Sequence, residues 1–202
     1  MDVAVLEKPK RKPARKIPSY LIYEVMDGKP IYYKGYKEVL SGEKTIDEIM
    51  PSSFFQSLIV MAISYFLKSK TGKKFYVLSN EIGVSVAKKD SFANDIALFA
   101  KSEIANPQSE KYANIPPRVV IEVDTKADMG KFESPDEYFY RKTQKMLDFG
   151  VEKVIWVMTG TRKIMIAENQ KPWLIVDWNV EIDVMDDIKF TLTDLLKEEG
   201  IE

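Results

Sequence analysis

Hydrophobic and polar positions change period several times along this chain, and each change predicts an element. Tyr20 to Met26 is a strand-like run, Asp27-Gly28 a turn, and Ile31-Tyr-Tyr33 a second strand, which together predict a hairpin. Lys34 to Glu43 is ambiguous, and Thr45 to Met50 gives a short helical turn stopped by Pro51. Ser52 and Ser53 offer caps for a helix reaching Lys68, in which Phe54, Leu58, Met61, Ala62, Tyr65 and Phe66 recur at helical spacing and are expected to face the core. Gly72 ends that helix. Lys74 to Ser79 and Ile82 to Ala87 then predict two strands, and Ser91 to Ala100 a third, with Asp95, Ala97 and Phe99 on one face. Residues 101 to 117, punctuated by Pro107, Pro116 and Pro117, read as a surface loop.

The next stretch, Pro117 to Lys126, drives a branched-aliphatic run into two acids and a lysine. In an extended strand Val119, Ile121 and Val123 point one way, and Val120, Glu122 and Asp124 the other. Carboxylates at the end of so apolar a strand need a bound cation or a paired lysine to offset their desolvation. Ser134-Pro-Asp-Glu137 is a helix start, with Ser at the N-cap and Glu three residues on, and Gly150 closes the helix that runs from Pro135 to Phe149. Tyr138, Lys142 and Lys145 share one side of it, which for lysines is ordinarily a solvated face. Strands at Val151 to Met158, Lys163 to Ala167 and Trp173 to Trp178 read as antiparallel neighbours, and 189 to 198 as a short strand and helix.

Composition narrows the chemistry. With 202 residues and 45% hydrophobic content the chain is long enough for one core. The expected organisation is a flexible basic arm over 1–18 followed by a single domain over 19–202. Residues 1 to 16 carry a net +4 and leave −5 on the remainder, so any polyanion site is local. The chain has no histidine and no cysteine, which excludes Ser-His-Asp and Cys-His nucleophiles, zinc fingers and disulfides, and leaves oxygen ligands for any metal. No run of eighteen apolar residues is present, and the start Met-Asp-Val-Ala-Val-Leu-Glu-Lys is too short and too acidic for a secretory signal. The expectation is a cytoplasmic protein with no membrane contact.

The order of these pieces resembles the Uma2 family of restriction-endonuclease-like proteins, within the PD-(D/E)xK nuclease superfamily. The matching stretches are Asn94-Asp-Ile-Ala-Leu, Val120-Ile-Glu-Val-Asp-Thr, Arg141-Lys-Thr-Gln-Lys-Met and Gly150-Val-Glu-Lys-Val-Ile-Trp, and the similarity spans roughly residues 20 to 197. Glu38 and Gly42-Glu43 fall where the family often has Glu-x-x-x-Gly-Glu. Departures are Asn94 for the family proline, Gln56 for a frequent helix histidine and Met146 for a helix tyrosine, and the segment after Glu122 is longer than usual.

The resemblance implies an α/β (α+β) fold, a mixed sheet flanked by helices, and a metal-dependent endonuclease hydrolysing DNA. It implies Asp95, Glu122 and the Val123 carbonyl as ligands of Mg or Mn, with a lysine that orients water and offsets charge on the phosphate. Lys142 is the lysine the family pattern favours, and Lys126 is the alternative, in a literal Asp124-Thr-Lys126 signature. Asp124 itself either helps to hold the cation or marks a site that no longer catalyses. Two other readings stand beside this one: a non-catalytic module that binds nucleic acid or a protein partner, and a homodimer built on an exposed Trp173/Trp178 ribbon.

Overall fold

The computed structural model describes residues 16–201. The expected basic arm therefore lies outside the described residues, apart from Lys16 to Pro18. The hairpin forms as β1 (Ile22–Met26) and β2 (Lys29–Tyr32), turning through Asp27 and Gly28 at φ 53° and 70°, the left-handed pair that an Asp-Gly turn supplies. The ambiguous stretch holds a short helix, α1 (Tyr36–Ser41), closed by Gly42 at φ 83°. Ser53 caps α2 (Phe54–Thr71) by accepting from Gln56 N at 3.1 Å. The chain continues through β3 (Phe75–Ala87), β4 (Asp90–Ala100), β5 (Val119–Val123), α3 (Pro135–Phe149), β6 (Lys153–Met158), β7 (Lys163–Glu168), β8 (Leu174–Asp177), β9 (Ile182–Met185), β10 (Ile188–Phe190) and α4 (Leu192–Glu198).

One eight-stranded mixed sheet, ordered β2-β1-β4-β5-β6-β7-β8 with β3 also on β4, organises these elements. β5 and β6 run parallel, joined by the crossover helix α3, and the other pairs of this sheet are antiparallel. On one face α2, α4 and the β9–β10 hairpin pack Ile59, Ile63, Leu67 and Leu192 against Ile96, Ile121 and Ile155. On the other, α3 packs Tyr138, Met146 and Leu147 against Val120, Val154 and Trp156. β5 is covered on both sides, which is why all five of its residues are buried and why its sequence is a continuous apolar run broken only by Glu122.

Four expectations change. The two strands expected at 74–79 and 82–87 are one strand, β3, bulged where Asn80 and Glu81 take φ 75° and 56°. The stripe of α2 expected in the core is wrong for three of its members: Phe54, Met61 and Tyr65 are 85%, 68% and 74% exposed, and Ile59, Ile63 and Leu67 are buried instead. On the α3 side expected to be solvated, Tyr138 and Lys142 are fully buried, and Lys145 alone stays part-exposed, paired with Asp27 and Asp90. Trp178 is buried against Phe55 and Trp173 packs at a tilt on Tyr140, so they form no exposed ribbon, and Leu174 and Ile175 are the exposed apolar residues there.

The sheet edges are treated unequally. β2 is met by a bridge from Tyr33 to Ala127, and β3 by one from Val84 to Ala113 in the long 101–117 loop. Among the described residues no strand or bridge lies outside β8. None of their helices is long and apolar enough to cross a membrane.

Candidate active site

Antiparallel pairing of β4 with β5 sets Ile96 opposite Ile121, so Asp95 and Glu122 lie one residue further on, at the same end of adjacent strands. The sheet register thus brings the two acids together. Asp95 Oδ2 accepts the Val123 amide at 2.7 Å, tying its carboxylate to the residue beside Glu122.

Lys142 comes to the same place from above the sheet. The capping of α3 by Ser134 and its left-handed close at Gly150 fix which residues of the helix face down. Lys142 is one of them, and its Nζ reaches Glu24 Oε1 on β1 at 2.6 Å, the Ala93 carbonyl on β4 at 3.1 Å and Glu122 Oε1 on β5 at 2.9 Å. The contact with Glu122 is an ion pair between two fully buried groups. Tyr138, one turn earlier, donates its hydroxyl to Glu24 Oε2 at 2.7 Å. The cluster has no exposure: Lys142 is 0%, Glu122 1% and Glu24 2% exposed. Glu24 escaped the sequence reading. Its signal was an acid sharing a strand face with Ile22 and Met26.

The remaining candidates go elsewhere. Asp124 sits at φ 56° and accepts from the Thr159 amide at 2.8 Å and the Thr159 hydroxyl at 2.5 Å, joining the end of β5 to the turn after β6. Lys126 pairs with Glu81, which the β3 bulge turns inward. Lys126 and Glu81, with Asp95, Ser79, Ser57 and Met61, line an open cleft of about 400 Å³ between β3 and α2, and Asp124 does not. Glu38 does not line it. The Val123 carbonyl already accepts from Gln56 Nε2 at 2.7 Å, so the residue standing where the family often has histidine braces β5 from α2.

Burial dominates the electrostatics. It pushes the Glu122 carboxyl up to about 8 despite Lys142, with Asp95 and Glu24 adding to the rise. Asp95 is raised as well, again by burial, against the opposing Val123 hydrogen bond, Lys142 and Lys126. Burial alone would neutralise Lys142, but Glu122 and Glu24 outweigh it and hold its pKa above the ordinary lysine value. A buried cation shared by two acids, beside a third carboxylate that opens on a cleft, is an arrangement short of positive charge.

Scans of the sequence against protein-family models and against curated proteins return no match. Among solved structures the chain is similar to a crystal structure from Anabaena variabilis ATCC 29413, described as "a putative nuclease belonging to DUF820", at 16% identity and a TM-score of 0.63. The likeness covers 86% of this chain and 89% of that one. The α+β architecture, a large mixed sheet flanked by helices, is thus the restriction-endonuclease-like fold of that DUF820, Uma2-type neighbour.

Proposed function

We propose that the chain is a nuclease that hydrolyses DNA phosphodiester bonds with a divalent cation, Mg or Mn, at Asp95 and Glu122. The observation that carries this is their side-by-side placement on β4 and β5 with Lys142 on Glu122. The donor set fits a hard cation. Both carboxylates are held above their ordinary pKa, and the Lys142 ammonium is the one cation against Glu122 among the described residues. Among the described residues no group of three or more acids could hold a metal, so an ion here would have two carboxylates and would take its other ligands from water and substrate phosphate. The Val123 carbonyl, though bonded to Gln56, retains a second lone pair.

When bound, such an ion polarises the scissile phosphate and lowers the pKa of water. Lys142 offsets negative charge at Glu122, and Lys126 at the cleft offers a cation to a phosphate oxygen once it leaves Glu81. In this reading Asp124 acts by bracing the turn after β6 through Thr159. The cytoplasm as its location and DNA as its substrate form part of the same proposal.

A second reading, a nuclease fold that binds nucleic acid without cleaving it, rests on one observation: Glu122 and Lys142 are sealed from solvent, and Asp95 alone of the three lines the cleft. Cleavage of supercoiled plasmid with Mg or Mn decides between them. Nicking by the wild type that Asp95→Asn and Glu122→Gln both lose, with folding retained, supports hydrolysis. Equal nicking by all three proteins refutes the site, and DNA binding without nicking by the wild type favours the second reading.

A further inference from the structure

α2 is apolar on two sides, and one of them has no partner in the fold. Ile59, Ile63 and Leu67 fill the core, whereas Phe54, Met61 and Tyr65 stand 85%, 68% and 74% exposed. Positions i, i+7 and i+11 fall within about 40° of one line down a helix, so these three form a continuous stripe rather than scattered surface residues. Two further facts fix its setting. Met61 also lines the cleft that holds Asp95 and Lys126, so the stripe runs past the mouth of the candidate active site. From Pro51 to Lys74 the chain carries four lysines, Lys68, Lys70, Lys73 and Lys74, and no acid, in a protein whose net charge is −1. All four lysines are exposed.

An exposed aromatic line flanked by cations and free of acids is complementary to a polyanion that also presents flat π-faces. Resting on the nuclease reading, we infer that α2 is a track for an unpaired nucleic-acid strand: bases stack on Phe54 and Tyr65, the lysines after residue 67 hold the backbone, and the strand passes Met61 into the cleft. The depth of the site points the same way. Asp95 is 9% exposed at the cleft beside α2 and Glu122, under α3, is 1% exposed, so a rigid duplex is held off from carboxylates this recessed. A single flexible strand is not. The substrate class is therefore single-stranded or locally unpaired nucleic acid. A second copy of the chain docking on this stripe is the competing occupant, and the four clustered lysines give it no acidic counterpart on α2.

The test is fluorescence anisotropy of the full-length protein with a labelled 20-nucleotide oligothymidine and with a labelled hairpin duplex, in EDTA so that nothing is cleaved. The wild type should prefer the single strand, and Phe54→Ser with Tyr65→Ser should weaken that binding by roughly tenfold or more. Both positions are exposed, so an unchanged melting temperature confirms that folding is intact. Equal affinity of variant and wild type, or a preference for duplex, overturns the inference. So does a loss of affinity that follows deletion of residues 1 to 15 but not the double substitution. Sedimentation showing a dimer that the double variant abolishes assigns the stripe to self-association and likewise overturns it. Stripe-dependent binding with no cleavage on adding Mn would leave this inference standing and remove hydrolysis, and cleavage indifferent to the stripe would do the reverse.

Discussion

Lys142 and Glu24, 118 positions apart in sequence, meet at 2.6 Å with neither side chain exposed. Because Lys142 also reaches the Ala93 carbonyl and Glu122, one ammonium ties together the three neighbouring strands β1, β4 and β5 from a helix above them. Removing that ammonium leaves two acids buried without a cation. Lys142→Ala should therefore cost about 3–5 kcal/mol in urea unfolding. Lys142→Met combined with Glu24→Gln, which removes both charges and keeps volume, should recover much of it. A single-variant loss under about 1 kcal/mol would mean that the pair contributes little.

Glu122 sets the pH dependence in metal-free buffer. Its folded pKa, about 8, lies above the ordinary 4.5, so the unfolded chain releases this proton first as pH rises. The stabilisation is full below 4.5 and is lost progressively up to about 8, beyond which the curve flattens. Asp95, also raised by burial, adds the same sign. Melting temperatures across this range should fall with pH in the wild type and fall less steeply in Glu122→Gln. An equal slope in both proteins would contradict the assignment.

Asp124 and Lys126 should separate cleanly from the rest. Asp124→Ala removes two hydrogen bonds and puts alanine at φ 56°, costing roughly 2 kcal/mol, whereas Asp124→Asn, better tolerated in the left-handed region, costs less. Neither should change cleavage per folded molecule, and a selective loss of cleavage would return Asp124 to the chemistry.

Lys126→Ala breaks a half-buried pair with Glu81 and should shift stability by no more than about 1 kcal/mol. Its effect should appear in cleavage and in the affinity for oligonucleotide measured without metal. No change in either would restrict Lys126 to holding the β3 bulge.

Local signals carried far in this sequence and non-local ones did not. The Asp-Gly hairpin, the Ser-Pro-Asp-Glu helix start and Gly150 each act within four residues, and each is where the pattern places it. The α2 register failed because Phe54/Met61/Tyr65 and Ile59/Ile63/Leu67 are both spaced helically, and spacing does not say which stripe meets the sheet. Glu24 was missed because its cation sits on a helix more than a hundred residues away. The Asn80–Glu81 bulge has no glycine to announce it.

The bare outer side of β8 has a consequence for assembly. Leu174 and Ile175 are 55% and 65% exposed on a strand that nothing straps, while bridges guard β2 and β3. Two chains joined there edge to edge would each use up the same strand. Growth through that edge then halts at a pair.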